Sequence, residues 1–203
     1  TLFFLAVEKN KIFINDSWPT ALLKSFIYNV SLRSSGFVIF PIENLSEASL
    51  LFSMACMTIG AAPGSTGGGV KVTTCVIFIV TILSIFKGKS YVEIGNRMIS
   101  EQQIYKSISI LVVAMMWVFT STFLLLLVEN KQAFVDLLFE TCSSLFNVGI
   151  STGVTNKLGV FGQGVLIINM IAGRIGILTF IFAIRQKYEK QLYKLPVENV
   201  ILG

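Results

Sequence analysis

Residues 63–69 read Pro-Gly-Ser-Thr-Gly-Gly-Gly and interrupt a long apolar stretch, Ala48–Phe86, whose only charge is Lys71. The stretch is far longer than the roughly 20 residues that a helix needs to cross a bilayer. A run of Gly and Pro forms no stable helix, because these are the poorest helix formers. The pattern therefore predicts two helical segments, Leu45–Ala62 and Val70–Lys87, joined by a loop.

The rest of the sequence has the composition of a membrane protein. Of 203 residues, 54% are apolar and only 13% are charged, whereas a soluble domain carries about 25% charged residues. Ser107–Val128 contains no charge and predicts one span. Leu158–Ile184 contains Arg174 as its single charge and predicts another. We therefore expect an all-α, multi-pass membrane protein surrounded by the lipid bilayer.

The residue types present exclude several classes of function. The sequence has no histidine, which removes histidine-based catalysis and the commonest zinc ligand. Its three cysteines are far apart in apolar runs and predict packed free thiols. The net charge of +5 is dispersed, so nucleic acid is not an expected partner. Because paired intramembrane carboxylates are also missing, we expect no enzymatic activity.

Two shorter apolar segments, Trp18–Val30 and Ala133–Phe146, predict helices of three to four turns. The residues before the first, Asn15-Asp16-Ser17, have capping chemistry. Each short helix is followed by a turn of small residues, at 34–37 and at 147–151. A short helix, then irregular polar backbone, then a full span is the pattern of a re-entrant loop.

The two halves of the chain align when the sequence is shifted so that Gly36 lies on Gly149. We call this displacement the repeat shift. The matched identities are Phe26 with Phe139, Ser31 with Ser144, Leu32 with Leu145, Gly36 with Gly149, Leu45 with Leu158, Met57 with Met170, and Gly60 with Gly173. Upstream, an apolar run ending at Glu8 matches one ending at Glu129 at a slightly larger shift. Since each unit would cross the membrane twice, successive units keep one orientation, which is the symmetry of a pore.

The two turns have the chemistry of an ion filter. A dehydrated K⁺ needs a ring of oxygens, and backbone carbonyls supply them without a fixed charge. Aiming successive carbonyls at one axis requires φ values that Gly adopts cheaply, and Gly36 and Gly149 occur at matched positions. The candidate filter residues are Ser34, Ser35, Gly36, Phe37, Asn147, Val148, Gly149 and Ile150. The alternative is that both glycines are ordinary helix C-caps.

The glycine-rich loop predicts a gate, because irregular backbone within a membrane must be buried in protein or line a water-filled cavity. Two isolated cations, Lys71 just after the loop and Arg174 within Leu158–Ile184, are functional candidates because a charge in the bilayer is costly. The candidate gate residues are Pro63, Gly64, Ser65, Thr66, Gly67, Gly68, Gly69, Lys71 and Arg174. The alternatives are a passive hinge for the loop, and snorkelling or a structural ion pair for the cations.

Two further patterns near these segments carry less chemistry. The loop approaches the phosphate-binding pattern G-x-x-x-x-G-K-[ST], but Val70 stands where Lys is required and no strand precedes it. Nucleotide binding by the loop is therefore not expected. On the second short helix, Asp136 and Glu140 lie one turn apart and could attract cations. We expect them instead to form a solvated helix face.

Three stretches carry a resemblance to a known family. Residues 60–74, Gly-Ala-Ala-Pro-Gly-Ser-Thr-Gly-Gly-Gly-Val-Lys-Val-Thr-Thr, resemble the broken inner helix in the third repeat of the Trk/Ktr/HKT potassium transporters. Residues 147–155, Asn-Val-Gly-Ile-Ser-Thr-Gly-Val-Thr, resemble the filter of their fourth repeat. Residues 172–176, Ala-Gly-Arg-Ile-Gly, are similar to the inner helix that follows it. The chain is thus identified as resembling the C-terminal half of a TrkH/KtrB-like membrane subunit.

The resemblance implies a pore of four helix–pore loop–helix repeats in one polypeptide, with the N-terminal repeats outside this chain. Residues 1–88 would be the third repeat, its first helix truncated, with a re-entrant loop over 18–40 and a broken inner helix over 45–87. Residues 89–106 would be a cytoplasmic linker, 107–184 the fourth repeat, and 185–203 a cytoplasmic tail.

The resemblance also implies the ion, the partners and a location in the plasma or inner membrane. Carbonyls of Ser34–Phe37 and Asn147–Ile150 would face K⁺, the loop 63–69 would be the gate, and Arg174 would close on it. Such membrane subunits usually form homodimers controlled by a cytosolic nucleotide-binding subunit, so nucleotide would bind that partner and this chain would hold no cofactor. In the plant branch, Ser in place of a filter Gly accompanies Na⁺ transport, so glycine in both turns favours K⁺.

Two other functions remain open from the residues alone. A Na⁺- or H⁺-coupled secondary transporter of another cation or a small solute also uses broken helices at the membrane midplane. Such transporters commonly have inverted repeats, whereas the repeats here run parallel. A non-conducting assembly subunit would share the helices without passing ions. The function that the sequence favours is K⁺ uptake through a carbonyl-lined filter.

Overall fold

The computed structural model describes residues 1–176 with six exceptions, which are Asn10, Asn15, Thr66, Ser90, Asn96 and Asn130. Of the predicted features, Thr66 of the gate, residues 177–184 of the last span and the tail 185–203 lie outside the described residues.

The described residues form seven α-helices and one short β-hairpin. The helices are α1 (Leu2–Glu8), α2 (Trp18–Ser31), α3 (Glu47–Thr58), α4 (Val72–Phe86), α5 (Glu101–Val128), α6 (Phe134–Leu145) and α7 (Val160–Ile175). The hairpin pairs β1 (Glu93–Ile94) with β2 (Arg97–Met98) in antiparallel register. The fold is thus mostly helical, as the sequence predicts, apart from the hairpin in the expected linker.

Helix boundaries differ from the sequence prediction by four residues or more at three places. Helix α7 ends at Ile175, inside the predicted span Leu158–Ile184, where Gly176 adopts φ +97° as the C-cap. Helix α3 ends at Thr58 rather than Ala62, because Ile59 turns to extended backbone and forms a parallel bridge with Val70. Helix α5 begins at Glu101, inside the predicted linker, with Ser100 as its N-cap. An acidic residue in the first turn of a helix is favourable because the positive end of the helix dipole lies there.

Of the described helices, α5 is the one long and apolar enough to cross a membrane by length and composition. Its 28 residues give a length of about 42 Å, more than the roughly 30 Å hydrocarbon core. The apolar helices α3, α4 and α7 have 12, 15 and 16 residues. The break at the glycine loop therefore divides residues 47–86 into two helices, each too short to cross alone.

Packing centres on α5 and α6. Helix α5 contacts α4, α6 and α7, and α6 also contacts α3 and α7, while α1 packs on α2 and α3. The core between these helices contains large buried side chains such as Tyr28, Phe139 and Phe146. The Tyr28 hydroxyl, fully buried, shares a 3.0 Å hydrogen bond with Ser53 Oγ and so links α2 to α3. These contacts fix the ends of α2 and α6, from which the two turns begin.

Two smaller predictions have different outcomes. The three cysteines are free thiols, as expected; Cys75 and Cys142 are buried, and Cys56 is partly buried. Ser17 is the N-cap of α2, but its side chain caps no backbone N–H. Its neighbour Asp16 instead accepts hydrogen bonds from Lys24 at 2.7 Å, so an ion pair holds the start of this helix.

Candidate functional site

The first turn (residues 34–37) directly follows α2 and has an unusual backbone. Ser34 has φ +65° and Gly36 has φ +69°, and a positive φ is uncommon for any residue except glycine. Ser34 Oγ lies 3.5 Å from Phe146 O, at the end of the other short helix. The first turn is therefore held in a special conformation and already reaches the second half of the chain.

The second turn (residues 147–150) follows α6 with the same pattern. Asn147 has φ +53° and Gly149 has φ +85°. The N–H of Val148 donates to Ser143 O at 2.9 Å, and Asn147 Nδ2 donates to Met170 O at 3.1 Å. These bonds attach the second turn to α6 on one side and to α7 on the other.

The two turns meet at their glycines. A Cβ atom built on Gly36 would lie 3.3 Å from Val148 O, and one built on Gly149 would lie 3.6 Å from Gly36 Cα. Positive φ occurs at residues 34 and 36 and again at 147 and 149, and these two pairs are related by the repeat shift. The structure thus brings together the residues that the sequence matched, and gives them the same backbone conformation.

The glycine loop (residues 63–69) is closed at its neck by backbone bonds. The N–H of Gly60 donates to Val70 O at 2.8 Å, and the N–H of Val70 donates to Thr58 O at 3.2 Å. Inside the loop, Lys71 Nζ donates to Ser65 O at 3.1 Å and to Gly67 O at 2.8 Å. The Lys71 ammonium is therefore bonded to carbonyls of the loop itself.

The glycine loop packs against the start of both turns. A Cβ atom on Gly68 would lie 2.6 Å from Phe146 O and 2.8 Å from Asn147 Cβ, and one on Gly67 would lie 3.7 Å from Ser34 Oγ. The two distances from Gly68 leave no room for a side chain. Glycine at position 68 therefore permits the loop to touch the backbone where the second turn begins.

Arg174 lies in the last turn of α7 and is exposed. Its neighbour Gly173 packs tightly, because a Cβ there would overlap Leu145 O. The end of α7 is thus pressed against the end of α6, close to the second turn. The closure of Arg174 on the glycine loop stays a prediction.

Two glutamates that the sequence matched have a role that it did not predict. Glu8 Oε1 accepts from Ser46 N at 3.0 Å and from Ser46 Oγ at 2.5 Å. Glu129 Oε1 accepts from Gly159 N at 2.6 Å. Ser46 and Gly159 are the N-caps of α3 and α7 and are related by the repeat shift. In both halves, therefore, a carboxylate at the end of one helix holds the start of another, where the helix dipole favours an anion.

The expectation of a solvated face on α6 is wrong for Glu140. This residue is only 4% exposed and accepts hydrogen bonds from Ser151, Thr152 and Thr155, just after the second turn. A cavity of about 420 Å³ lies beside it, and its lining includes Asn147, Gly149 and Met170. The sequence contains little sign of this burial, because Glu140 and Asp136 have the spacing of an ordinary polar helix face.

The family follows from a comparison with known proteins. A family model described as "TrkH: Cation transport protein" matches residues 1–194. The chain belongs to the TrkH family. This confirms the resemblance carried by the glycine loop and the second turn, and it makes the chain part of a Trk/Ktr membrane subunit.

Two relatives of this TrkH-family chain are named as potassium uptake proteins. "Ktr system potassium uptake protein D" of Bacillus subtilis is 36% identical over 98% of this chain and 44% of its own length. "Ktr system potassium uptake protein B" of Vibrio alginolyticus is 34% identical over 89% of this chain and 39% of its own length. The chain therefore spans about two fifths of the length of these relatives.

A solved structure has the same fold as this TrkH-family chain. The potassium transporter TrkH from Vibrio parahaemolyticus superposes with a TM-score of 0.70 over 91% of this chain and 40% of that protein, at 15% sequence identity. At this identity the likeness concerns the fold alone.

Proposed function

We propose that this chain forms part of a K⁺ uptake pore, in which backbone carbonyls of residues 34–37 and 147–150 face the ion. The observation that carries the proposal is the approach of Gly36 and Gly149, with positive φ at both glycines. A carbonyl-lined cation path needs several such backbone segments around one axis. The names of the two relatives given above, both potassium uptake proteins, support the same ion.

The proposed architecture extends the two turns to re-entrant loops. Helices α2 and α6, with 14 and 12 residues, would enter the membrane and return through their turns, in two of four repeats around the pore. Residues 1–88 and 107–184 would be these repeats, 89–106 the linker and 185–203 the tail. The remaining repeats would come from the same polypeptide, since the chain spans about two fifths of its relatives. A homodimer and a cytosolic nucleotide-binding subunit are further proposals from the resemblance.

The glycine loop would be the gate of this pore. Its contact with Phe146 and Asn147 puts it directly against the start of the second turn, so a movement of the loop would change access to the path. The bonds from Lys71 to two loop carbonyls would hold the loop closed, and Arg174 would close on it from α7.

Ion uptake by the whole protein tests this function. In cells that lack their own K⁺ uptake systems, the protein is expected to restore growth at low K⁺ and to take up K⁺ in preference to Na⁺. The comparison is with cells that carry an empty vector. A protein that reaches the membrane and takes up neither ion would favour a non-conducting subunit. Uptake that requires a second solute would favour the coupled transporter.

The substitution Lys71→Gln tests the gate. It removes a charged donor from two carbonyl oxygens, and hydrogen bonds to charged groups contribute about 1.5–3 kcal/mol each. If only the closed loop makes these bonds, K⁺ flux should rise by about threefold or more, because a smaller fraction of the protein stays closed. Initial rates of K⁺ uptake, normalised to protein in the membrane, provide the measurement.

The matched control for this test is Lys87→Gln, which removes the same charge from the C-cap of α4, at the opposite end of that helix from the loop. It should leave the flux within about twofold of wild type. A flux for Lys71→Gln at or below wild type, with a normal amount of protein, would contradict the latching role of Lys71.

A further inference from the structure

Glu140 has a buried carboxylate whose hydrogen-bond donors all come from one short segment of the chain. Its Oε1 accepts from Ser151 Oγ at 2.5 Å, from Thr152 N at 2.9 Å and from Thr152 Oγ1 at 3.4 Å. Its Oε2 accepts from Thr155 Oγ1 at 2.7 Å. All four donors lie in residues 151–155, where the chain leaves the second turn. Glu140 is thus the acceptor around which this exit segment is arranged.

Because the Glu140 carboxylate is buried, moving residues 151–155 away from it would be costly. The ion pairs found within the described residues join Lys24 to Asp16 and Lys89 to Glu93, and neither involves Glu140. A buried carboxylate without a cationic partner depends on its hydrogen bonds, because an unpaired buried charge is costly. Bonds to an ionised acceptor are about twice as strong as neutral ones. Displacing the exit segment would therefore leave the Glu140 charge without its donors.

Ser143 lies one turn further along α6 and forms hydrogen bonds to Ile150, the residue just before the exit segment. Its Oγ donates to Ile150 O at 2.5 Å and accepts from Ile150 N at 3.2 Å. Ile150 is the last residue of the second turn and is 1% exposed. Ser143 and Glu140 therefore attach the chain from residue 150 to residue 155 to helix α6.

The first turn has no equivalent support from the described residues of α2. By the repeat shift, Glu140 and Ser143 correspond to Ile27 and Val30. Both side chains are apolar and exposed, by 36% and 50%, and neither offers a hydrogen bond to the first turn. Side-chain hydrogen bonds from these positions of the short helix are therefore found in the second half of the chain and not at the matched positions of the first half.

We propose that Glu140 is a positioning residue that sets the discrimination between K⁺ and Na⁺, by holding the carbonyls of the second turn at the separation that suits the larger ion. The proposal rests on the proposed function, because it requires that these carbonyls face the ion. Na⁺ is smaller than K⁺, and a ring of oxygens that does not close inward coordinates Na⁺ less well, which is one of the two accounts of selectivity in carbonyl filters. The exit segment, fixed by Glu140, resists that closure.

The test compares Glu140→Gln with Asp136→Asn in the whole protein. Glutamine keeps the size of the side chain, but its amide nitrogen cannot accept a hydrogen bond. We expect the ratio of K⁺ to Na⁺ uptake to fall by about tenfold in Glu140→Gln, as for the loss of one hydrogen bond to a charged group. Asp136→Asn removes the same charge one turn earlier on α6, and its ratio should stay within about twofold of wild type.

The opposite pattern would overturn the proposal. If both variants reduce the uptake of K⁺ and Na⁺ alike and leave the ratio unchanged, Glu140 acts only as a negative charge that attracts cations. If Glu140→Gln does not reach the membrane, Thr155→Val decides instead, because it removes only the hydroxyl bonded to Oε2. Its control is Thr120→Val, whose hydroxyl is exposed on α5 and bonds to carbonyls of its own helix. An unchanged ratio in Thr155→Val then contradicts the proposal.

Gly149→Ser separates this proposal from the function on which it rests. If Gly149→Ser lowers the ratio while Glu140→Gln and Thr155→Val do not, the filter assignment holds and the role of Glu140 fails. If Gly149→Ser also leaves the ratio unchanged, the second turn does not select the ion, and the proposed function fails at that point.

Discussion

Replacing Gly149 by serine should lower the ratio of K⁺ to Na⁺ uptake by about tenfold or more. Gly149 has φ +85°, and an L-residue with a left-handed backbone costs about 1–2 kcal/mol. The added Cβ would also enter the contact with Gly36, at 3.6 Å from its Cα. The second turn can relieve this strain by rotating its backbone, which would turn its carbonyls away from the proposed ion path. Initial uptake rates of the two ions by the whole protein give the ratio.

The control for Gly149→Ser is Gly95→Ser. Gly95 has φ +62°, so it imposes the same kind of backbone strain, but a Cβ there meets no atom within 4 Å. It lies in the hairpin between β1 and β2, remote in sequence from both turns. Gly95→Ser should keep the wild-type ratio even if it lowers the amount of protein. An equal ratio in the two variants would count against the filter assignment.

The sequence predicts the elements of this site well, because each depends on local chemistry. Each short helix is followed within three residues by a residue with positive φ, Ser34 or Asn147. The glycines two residues later make the matched contact between the turns. The break in the long apolar stretch also lies where Gly and Pro predict it. Lys71 is bonded to the loop beside which it stands in sequence. Residues close in sequence were therefore enough to find the turns and the loop.

The rest depends on contacts between segments that are distant in sequence. Glu140 has the pattern of a solvated helix residue, and only the path of residues 151–155 around it reveals a buried acceptor. The caps made by Glu8 and Glu129 join residues 38 and 30 positions apart. Their one sign in the sequence is the repeated Val-Glu at the end of each apolar run. A helix propensity or a hydrophobic period contains no information about such partners.

Replacing Gly173 by alanine should have the largest effect on stability. A Cβ at this position would overlap Leu145 O and lie 2.6 Å from Asn147 Nδ2, so α7 must move away from the end of α6. Inserting atoms into a packed core costs about 1–3 kcal/mol, and occasionally more. Here the obstacle is a backbone carbonyl, which cannot rotate away as a side chain can. We expect a loss of about 3 kcal/mol or more, measured as thermal denaturation of the purified whole protein.

Gly164→Ala on the same helix is the control. A Cβ on Gly164 meets nothing within 4 Å, and alanine is a better helix former than glycine by about 1 kcal/mol. Gly164→Ala should therefore be as stable as wild type or more so. Equal stability of the two variants would show that α7 tolerates side chains at its contact with α6.

A glycine is also required at the position in the first half of the chain that matches Gly173. Gly60 corresponds to Gly173 by the repeat shift, and a Cβ built on it would overlap Gly68 O. In both halves, therefore, glycine lets a backbone carbonyl approach its Cα, although the carbonyl comes from the glycine loop in one case and from α6 in the other. Gly60→Ala should for this reason displace the loop before it loosens the helices. Gly60→Ala should then change the rate of K⁺ uptake while the thermal stability stays close to that of wild type. Gly173→Ala should instead lower the thermal stability.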